Sequence, residues 1–232
     1  MTKLSTRIGA ASGAVCIVAV FTGNGMALAG QSGATDGPDL LDDLSTELSA
    51  VNSAGLALEM FGWAALMMFL GYLYRVLRNA EGPDGWLAPV AFGSGVLMVS
   101  IKLGSVAPWV AAWYRRDDLT VESAQTLNDL ATALFIVSGW VTGLLVASAA
   151  GSALVSRVLP RWLGWSGVAI GVATLVAGTM GLLDPRSYSP LPFVAGLFWL
   201  LATSVILTMR LTRPVQGEFA AQTVPAGSAT GQ

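Results

Sequence analysis

Six stretches of mainly apolar residues set the terms for this chain, because each is long enough to cross the hydrocarbon core of a bilayer. They cover about residues 8–29, 51–74, 87–113, 127–155, 163–183 and 191–209. Lipid offers no partner to a bare N–H or C=O, so each stretch must be helical. Short connections then set neighbours antiparallel. The expected fold is all-α, an integral membrane bundle of six transmembrane helices, or five if the first segment is a cleaved signal. Composition closes the other routes. Only 11% of the 232 residues are Asp, Glu, Lys or Arg, and 54% are hydrophobic. An ordinary soluble domain carries about 25% charged residues. Mean hydropathy is +0.65. A soluble globular domain and a disordered chain are excluded. With a net charge of −2, so is a nucleic-acid binder with a basic face.

Basic residues set the orientation. With six alternating helices, Lys3, Arg7, Arg75, Arg78, Arg157, Arg161, Arg210 and Arg213 fall on one side. Arg115, Arg116 and Arg186 fall on the other, with most of the acids. Cytoplasmic loops are enriched in Lys and Arg, so both termini are expected in the cytoplasm of a cell-membrane protein. Tyr72, Tyr74, Trp86, Trp162 and Trp165 would then lie at the inner interface, and Trp113, Tyr114 and Tyr188 at the outer one.

Residues 1–29 read either as the first transmembrane helix or as a signal peptide. Lys3 and Arg7 precede an apolar run, and Ala27, Leu28 and Ala29 fit a small-x-small cleavage site. Residues 30–50 form an acidic extracytoplasmic segment. Within it Leu40, Leu41, Leu44, Leu48 and Val51 recur at helical spacing, which predicts an amphipathic helix running into the second span. Residues 51–213 hold the five remaining spans. Residues 214–232 have the composition of a disordered cytoplasmic tail.

Small residues indicate packing. Gly9 and Gly13, Gly139 and Gly143, and Gly167 and Gly171 have GxxxG spacing. Such faces let helix backbones approach, within the chain first, and otherwise toward a second copy or a membrane partner. Pro108 is expected to bend the outer part of the third helix.

Three ionisable residues fall inside apolar spans: Glu59, Lys102 and Asp129. A charge at mid-membrane costs roughly 2.5–3.5 kcal/mol on insertion scales, so such groups face the bundle interior and find partners. Lys102 is one of only two lysines. It lies about 16 Å from the outer end of its helix and Glu59 about 12 Å from the outer end of its own, at 1.5 Å per residue. An ion pair or shared proton is expected between them. Asn52, Asn128 and Asp129 extend the candidate buried polar cluster across the outer half of helices two to four. One reading is a structural pair that fixes helix register. The other is a proton- or ligand-responsive site, with Glu59 titrating beside the positive charge of Lys102.

Other chemistry is absent from the residues. There is no histidine and a single cysteine, Cys16, which removes intrachain disulfides, His-ligated metals and serine–histidine catalysis. Neither a GxxxxGK[ST] loop nor a GxGD motif occurs. No metal, cofactor or enzymatic activity is expected, and the lipid bilayer is the one partner the composition names. Leu159, Pro160, Arg161, Trp162, Leu163, Gly164 and Trp165 run straight into a glycine-rich helix. This LPRWLGW junction resembles one in uncharacterised bacterial multi-pass membrane proteins grouped as a domain of unknown function. The resemblance covers roughly the last half of the chain and implies a six-helix membrane fold, with no established site to carry over. A structural, sensory or partner-binding role is the leading expectation. The alternative is a small transporter or proton-coupled carrier working through the buried Glu59, Lys102 and Asp129.

Overall fold

The computed structural model describes residues 3–212; the expected disordered tail at 214–232 lies outside them. Eight α-helices follow in order: α1 (Lys3–Ala27), α2 (Gly37–Ser45), α3 (Ala50–Glu81), α4 (Leu87–Gly104), α5 (Ala107–Tyr114), α6 (Val121–Ser156), α7 (Arg161–Leu183) and α8 (Leu191–Thr212). Helices α4 and α5 together make the third span, so six spans are long and apolar enough to cross a membrane. They close into a ring. Each packs on the next in chain order, α8 returns to α1, and α6 also touches α3 and α8. The outside is apolar: Val18, Phe61, Val155, Leu183 and Leu191 are each 66% exposed or more. The inside carries Ser138, Thr142, Ser148, Ser152, Thr203 and Ser204, all buried. Thr142 and Thr203 hydroxyls donate to the carbonyls of Ser138 and Trp199 one turn back. An apolar exterior around a small, polar interior is the distribution a bilayer selects.

Glycines decide how closely the spans approach. A Cβ on Gly55 of α3 would stand 2.6 Å from the Gly23 carbonyl oxygen of α1, and one on Gly23 would stand 2.6 Å from the Glu59 amide nitrogen. The same holds between α6 and α7, where a Cβ on Gly143 would sit 2.7 Å from the Leu175 nitrogen. All three GxxxG pairs face neighbours within the chain: Tyr72 and Phe69 for Gly9 and Gly13, Tyr188 and Leu175 for Gly139 and Gly143, Trp199 and Ala147 for Gly167 and Gly171. Ser204 of α8 ties into α1 by donating to the Ala10 carbonyl and accepting from the Ala14 amide at 2.9 Å. The first helix is thus packed as a full member of the bundle.

Connectivity sorts the charges to two ends. Arg75, Arg78, Arg157, Arg161 and Arg210 gather at one end, where Arg210 donates to the Val158 carbonyl and Arg78 donates to the carbonyls of Gly82, Pro83 and Gly85. At this end α6 stops at Arg157, held at φ 56°, and Pro160 starts α7. Trp162 and Trp165 stand exposed beside it, while the Trp199 indole donates to the Leu163 carbonyl at 2.8 Å. The opposite end carries residues 28–49, the turn after α5 and the start of α6.

Two local expectations are corrected at this acidic end. The amphipathic helix does not run into the second span: α2 ends at Ser45, and α3 restarts at Ala50. Ser49 forms a capping box with Asn52, which starts a new helix in a new direction although the leucine spacing continues through it. Leu40 and Leu44 of α2 are buried against Ala112 and Ala124. Tyr188 is not an interface anchor either. It turns inward, its ring edge-on to Phe135 with centroids 5.8 Å apart. The bend expected at Pro108 is present: the helix is interrupted at Ser105 and Val106, whose backbone angles stay in the helical region while the regular hydrogen bonding lapses. Pro108 has no N–H to give the preceding turn, and the Ser105 hydroxyl donates to the Lys102 carbonyl at 2.7 Å.

Candidate functional site

Lys102 lies in the last turn of α4, just before this break. It is 9% exposed. Its Nζ sits 4.2 Å from the centroid of Phe135, 5.5 Å from Phe193 and 5.7 Å from Trp63. Rings from α3, α6 and α8 thus surround the ammonium. Each ring face attracts a cation, by about 0.5–2 kcal/mol. Among the described residues no carboxylate oxygen lies within 4.0 Å of Lys102, so the expected direct ion pair with Glu59 does not form. Glu59 Oε1 instead accepts from the Trp63 indole nitrogen at 3.2 Å. Trp63 follows Glu59 by one helical turn, so a single ring links the acid to the cage of the base.

Both groups line one cavity of about 710 Å³ at the acidic end. Its walls come from the end of α1, the segment around Thr46, α3, the α4–α5 break and α6. The Lys102 and Phe135 side lies deepest. Thr46, Tyr114 and Thr132 on its wall are exposed. Trp109, Val110, Leu56 and Met60 make much of the wall apolar. Beyond Lys102, toward the arginine end, the interior is closed by Leu66, Leu70, Met98 and Leu145, each at most 1% exposed.

The other expected members separate in role. Asn52 reaches the cavity wall, and its hydrogen bonds are structural. Its amide nitrogen donates to the carbonyls of Met26, Ala27 and Ala29 at 3.2, 3.0 and 2.9 Å. Its Oδ1 accepts from the Ser49 amide at 3.0 Å. One side chain therefore closes α1 and opens α3. Asn128 also lines the cavity and donates to the Thr35 carbonyl at 3.3 Å, fastening the 30–36 segment over α6. Asp129 is exposed and absent from the wall. One residue past Asn128 is about 100° around the helix, which turns Asp129 away from Lys102.

The rim is ordered by a second polar clasp. Asp43 accepts from the Ser32 amide at 2.9 Å and from the Ser32 hydroxyl at 2.7 Å. Slight desolvation works to raise its pKa, but these bonds outweigh it and hold the carboxyl below the usual aspartate range. The cage residues Trp63, Phe135 and Phe193 have no place in the sequence-based expectations, nor has Trp109, and Trp113 enters them only as an outer-interface anchor. Only Trp63 carried a local signal, its i+4 spacing from Glu59. Among the described residues no group of three His, Cys, Asp or Glu side chains could hold a metal ion. No family model matches this chain, and neither a curated protein nor a solved structure matches it.

Proposed function

We propose that this chain is a multi-pass, non-enzymatic membrane protein that binds a small ligand in the cavity at its acidic end, in a sensory or partner-responsive role. One observation carries this reading: the cavity reaches a buried lysine that has rings around it but no hydrogen-bond acceptor and no carboxylate at contact distance. A pair that only fixed helix register would be closed and directly bonded. Concave, mostly apolar sites with a few placed polar groups are the usual form of ligand pockets, at roughly 300–1,000 Å³. The arginine end faces the cytoplasm in this reading, following the excess of basic residues there, and the cavity opens to the other side. The α1 segment stays as a working helix, since Asn52 holds its last carbonyls and α3 receives its glycines.

A carrier is the second reading, favoured by the interruption of the third span at Ser105 and Val106 beside the buried charge. Transporters place such broken helices at their substrate sites. The packed layer of Leu66, Leu70 and Met98 closes the arginine side, so this conformation offers access from one side only.

The test uses a single cysteine at the floor of the cavity. Ser105→Cys in a Cys16→Ala background, in sealed vesicles, should react with a membrane-impermeant thiol reagent added on the acidic-end side. Reagent added on the arginine side should leave it unmodified. Absence of labelling from the acidic side would remove the binding reading.

A further inference from the structure

We infer that the cavity ligand is an amphiphile with a singly charged carboxylate head, seated with that head toward Lys102 and its apolar chain along the α5 and α3 walls. This rests on the binding reading above and specifies its chemistry.

The argument begins with charge. The charged side chains on the cavity wall are Asp43, Glu59 and Lys102. Asp43, at the rim, is engaged by Ser32, and Glu59 by the Trp63 indole. Lys102 alone has neither a hydrogen bond nor an ion pair, and it is the most buried of the three. Surrounding rings, and the Glu59 charge acting through space without contact, offset only part of the desolvation of an ammonium, because neither replaces an anion at hydrogen-bond distance. The lysine is therefore the group that gains most from an incoming negative charge.

The same wall limits that charge. There is no arginine on it, so the planar fork that holds a phosphate or sulfate through paired hydrogen bonds is missing. The Glu59 carboxylate on the wall disfavours a second negative charge nearby. A monoanion matches one ammonium; a doubly charged phosphate does not. The remaining surface selects an apolar body. Leu56, Met60, Trp109 and Val110 line the way from rim to floor. Trp113 adds an indole whose buried nitrogen has no acceptor. The volume of about 710 Å³ admits a whole apolar chain rather than a small ion.

The test protects the Ser105→Cys thiol with ligands of one chain length and three charges. Laurate, dodecanol and dodecylammonium are added to the Cys16→Ala, Ser105→Cys protein in phosphatidylcholine vesicles. Labelling is compared with that of an exposed reference, Thr126→Cys, to remove effects of the ligands on the membrane surface. Laurate should slow labelling of the cavity thiol at least tenfold, at concentrations where dodecanol and dodecylammonium do little. Lys102→Met should abolish that selectivity, and Lys102→Arg should keep it. If the thiol labels normally and laurate protects no better than dodecanol, the carboxylate assignment fails while the cavity reading stands. Stronger protection by dodecylammonium would assign the site to Glu59 and a cation, and would also overturn it. A thiol that does not label at all removes the cavity reading itself.

Discussion

Gly55→Val is expected to detach α1 from α3 and unfold the acidic half of the bundle. The contact leaves no room for a side chain. A Cβ at this position would stand 2.6 Å from the Gly23 carbonyl oxygen and 2.7 Å from the Met26 Cβ. The Gly23 obstacle is backbone, so no rotamer change relieves it. Overpacking a tight site costs typically 1–3 kcal/mol, and here the whole helix must move away to accept an isopropyl group. Loss of about 3 kcal/mol or more is expected. Two further terms go with it. The Asn52 amide loses the carbonyls of Met26, Ala27 and Ala29 once α1 withdraws, and Gly62 loses its contact with Val20. The readout is thermal unfolding in detergent, together with protease sensitivity of the segment between α1 and α2. Gly25→Val is the control on the same helix pair. A Cβ there meets nothing within 4 Å, and its stability should stay close to that of the parent.

Asn52→Ala carries the second large effect, through hydrogen bonding rather than volume. Asn52 is 8% exposed and is engaged on both sides of its amide. Removing it deletes half of the capping box, worth about 1 kcal/mol. It also takes the side-chain donor from the Ala27 and Ala29 carbonyls, at about 1–3 kcal/mol for a group that water does not reach; the Met26 carbonyl keeps the Ala29 amide. A loss near 3 kcal/mol is the expected sum. Asn52→Asp should be nearly as damaging. An aspartate can still accept from the Ser49 amide, but it cannot donate to Met26, Ala27 or Ala29. A variant that melted with the parent would show that the junction of α1, the acidic segment and α3 is held by other contacts.

How much of this was legible before the fold was known follows from the physics of each part. The spans were readable because a bilayer demands long apolar helices, and that demand leaves a continuous signal in the chain. Their ends were less so: α6 begins at Val121 on a Thr120 cap, ahead of the apolar run near 127. The break between α2 and α3 hid behind leucines whose spacing continues across it, while the deciding capping box involves only Ser49 and Asn52. Glu59 and Lys102 stood out because ions in lipid are expensive. Their partners did not. Phe193 reaches Lys102 from α8, ninety-one positions later in the chain (193 less 102), and no local pattern records a contact made by closing a ring of helices. Asp129 was misplaced for the opposite reason. A single helical step past Asn128 turns it outward. The kinked third span gives the cavity Lys102, Ser105, Val106, Trp109 and Val110. Pro108 announced a bend there without saying what space the bend would open.

The central claim is that Lys102 is held for a ligand rather than for the fold, and the melting temperature of Lys102→Met tests it most directly. Methionine fills a similar volume among Trp63, Phe135 and Phe193, with favourable sulfur–ring contacts. It also relieves the cost of an ammonium kept from water, which the rings offset only in part. The account predicts a variant that melts at or above the parent and no longer distinguishes laurate from dodecanol. A variant destabilised as severely as Gly55→Val would show that the lysine is a structural keystone, and would contradict the account.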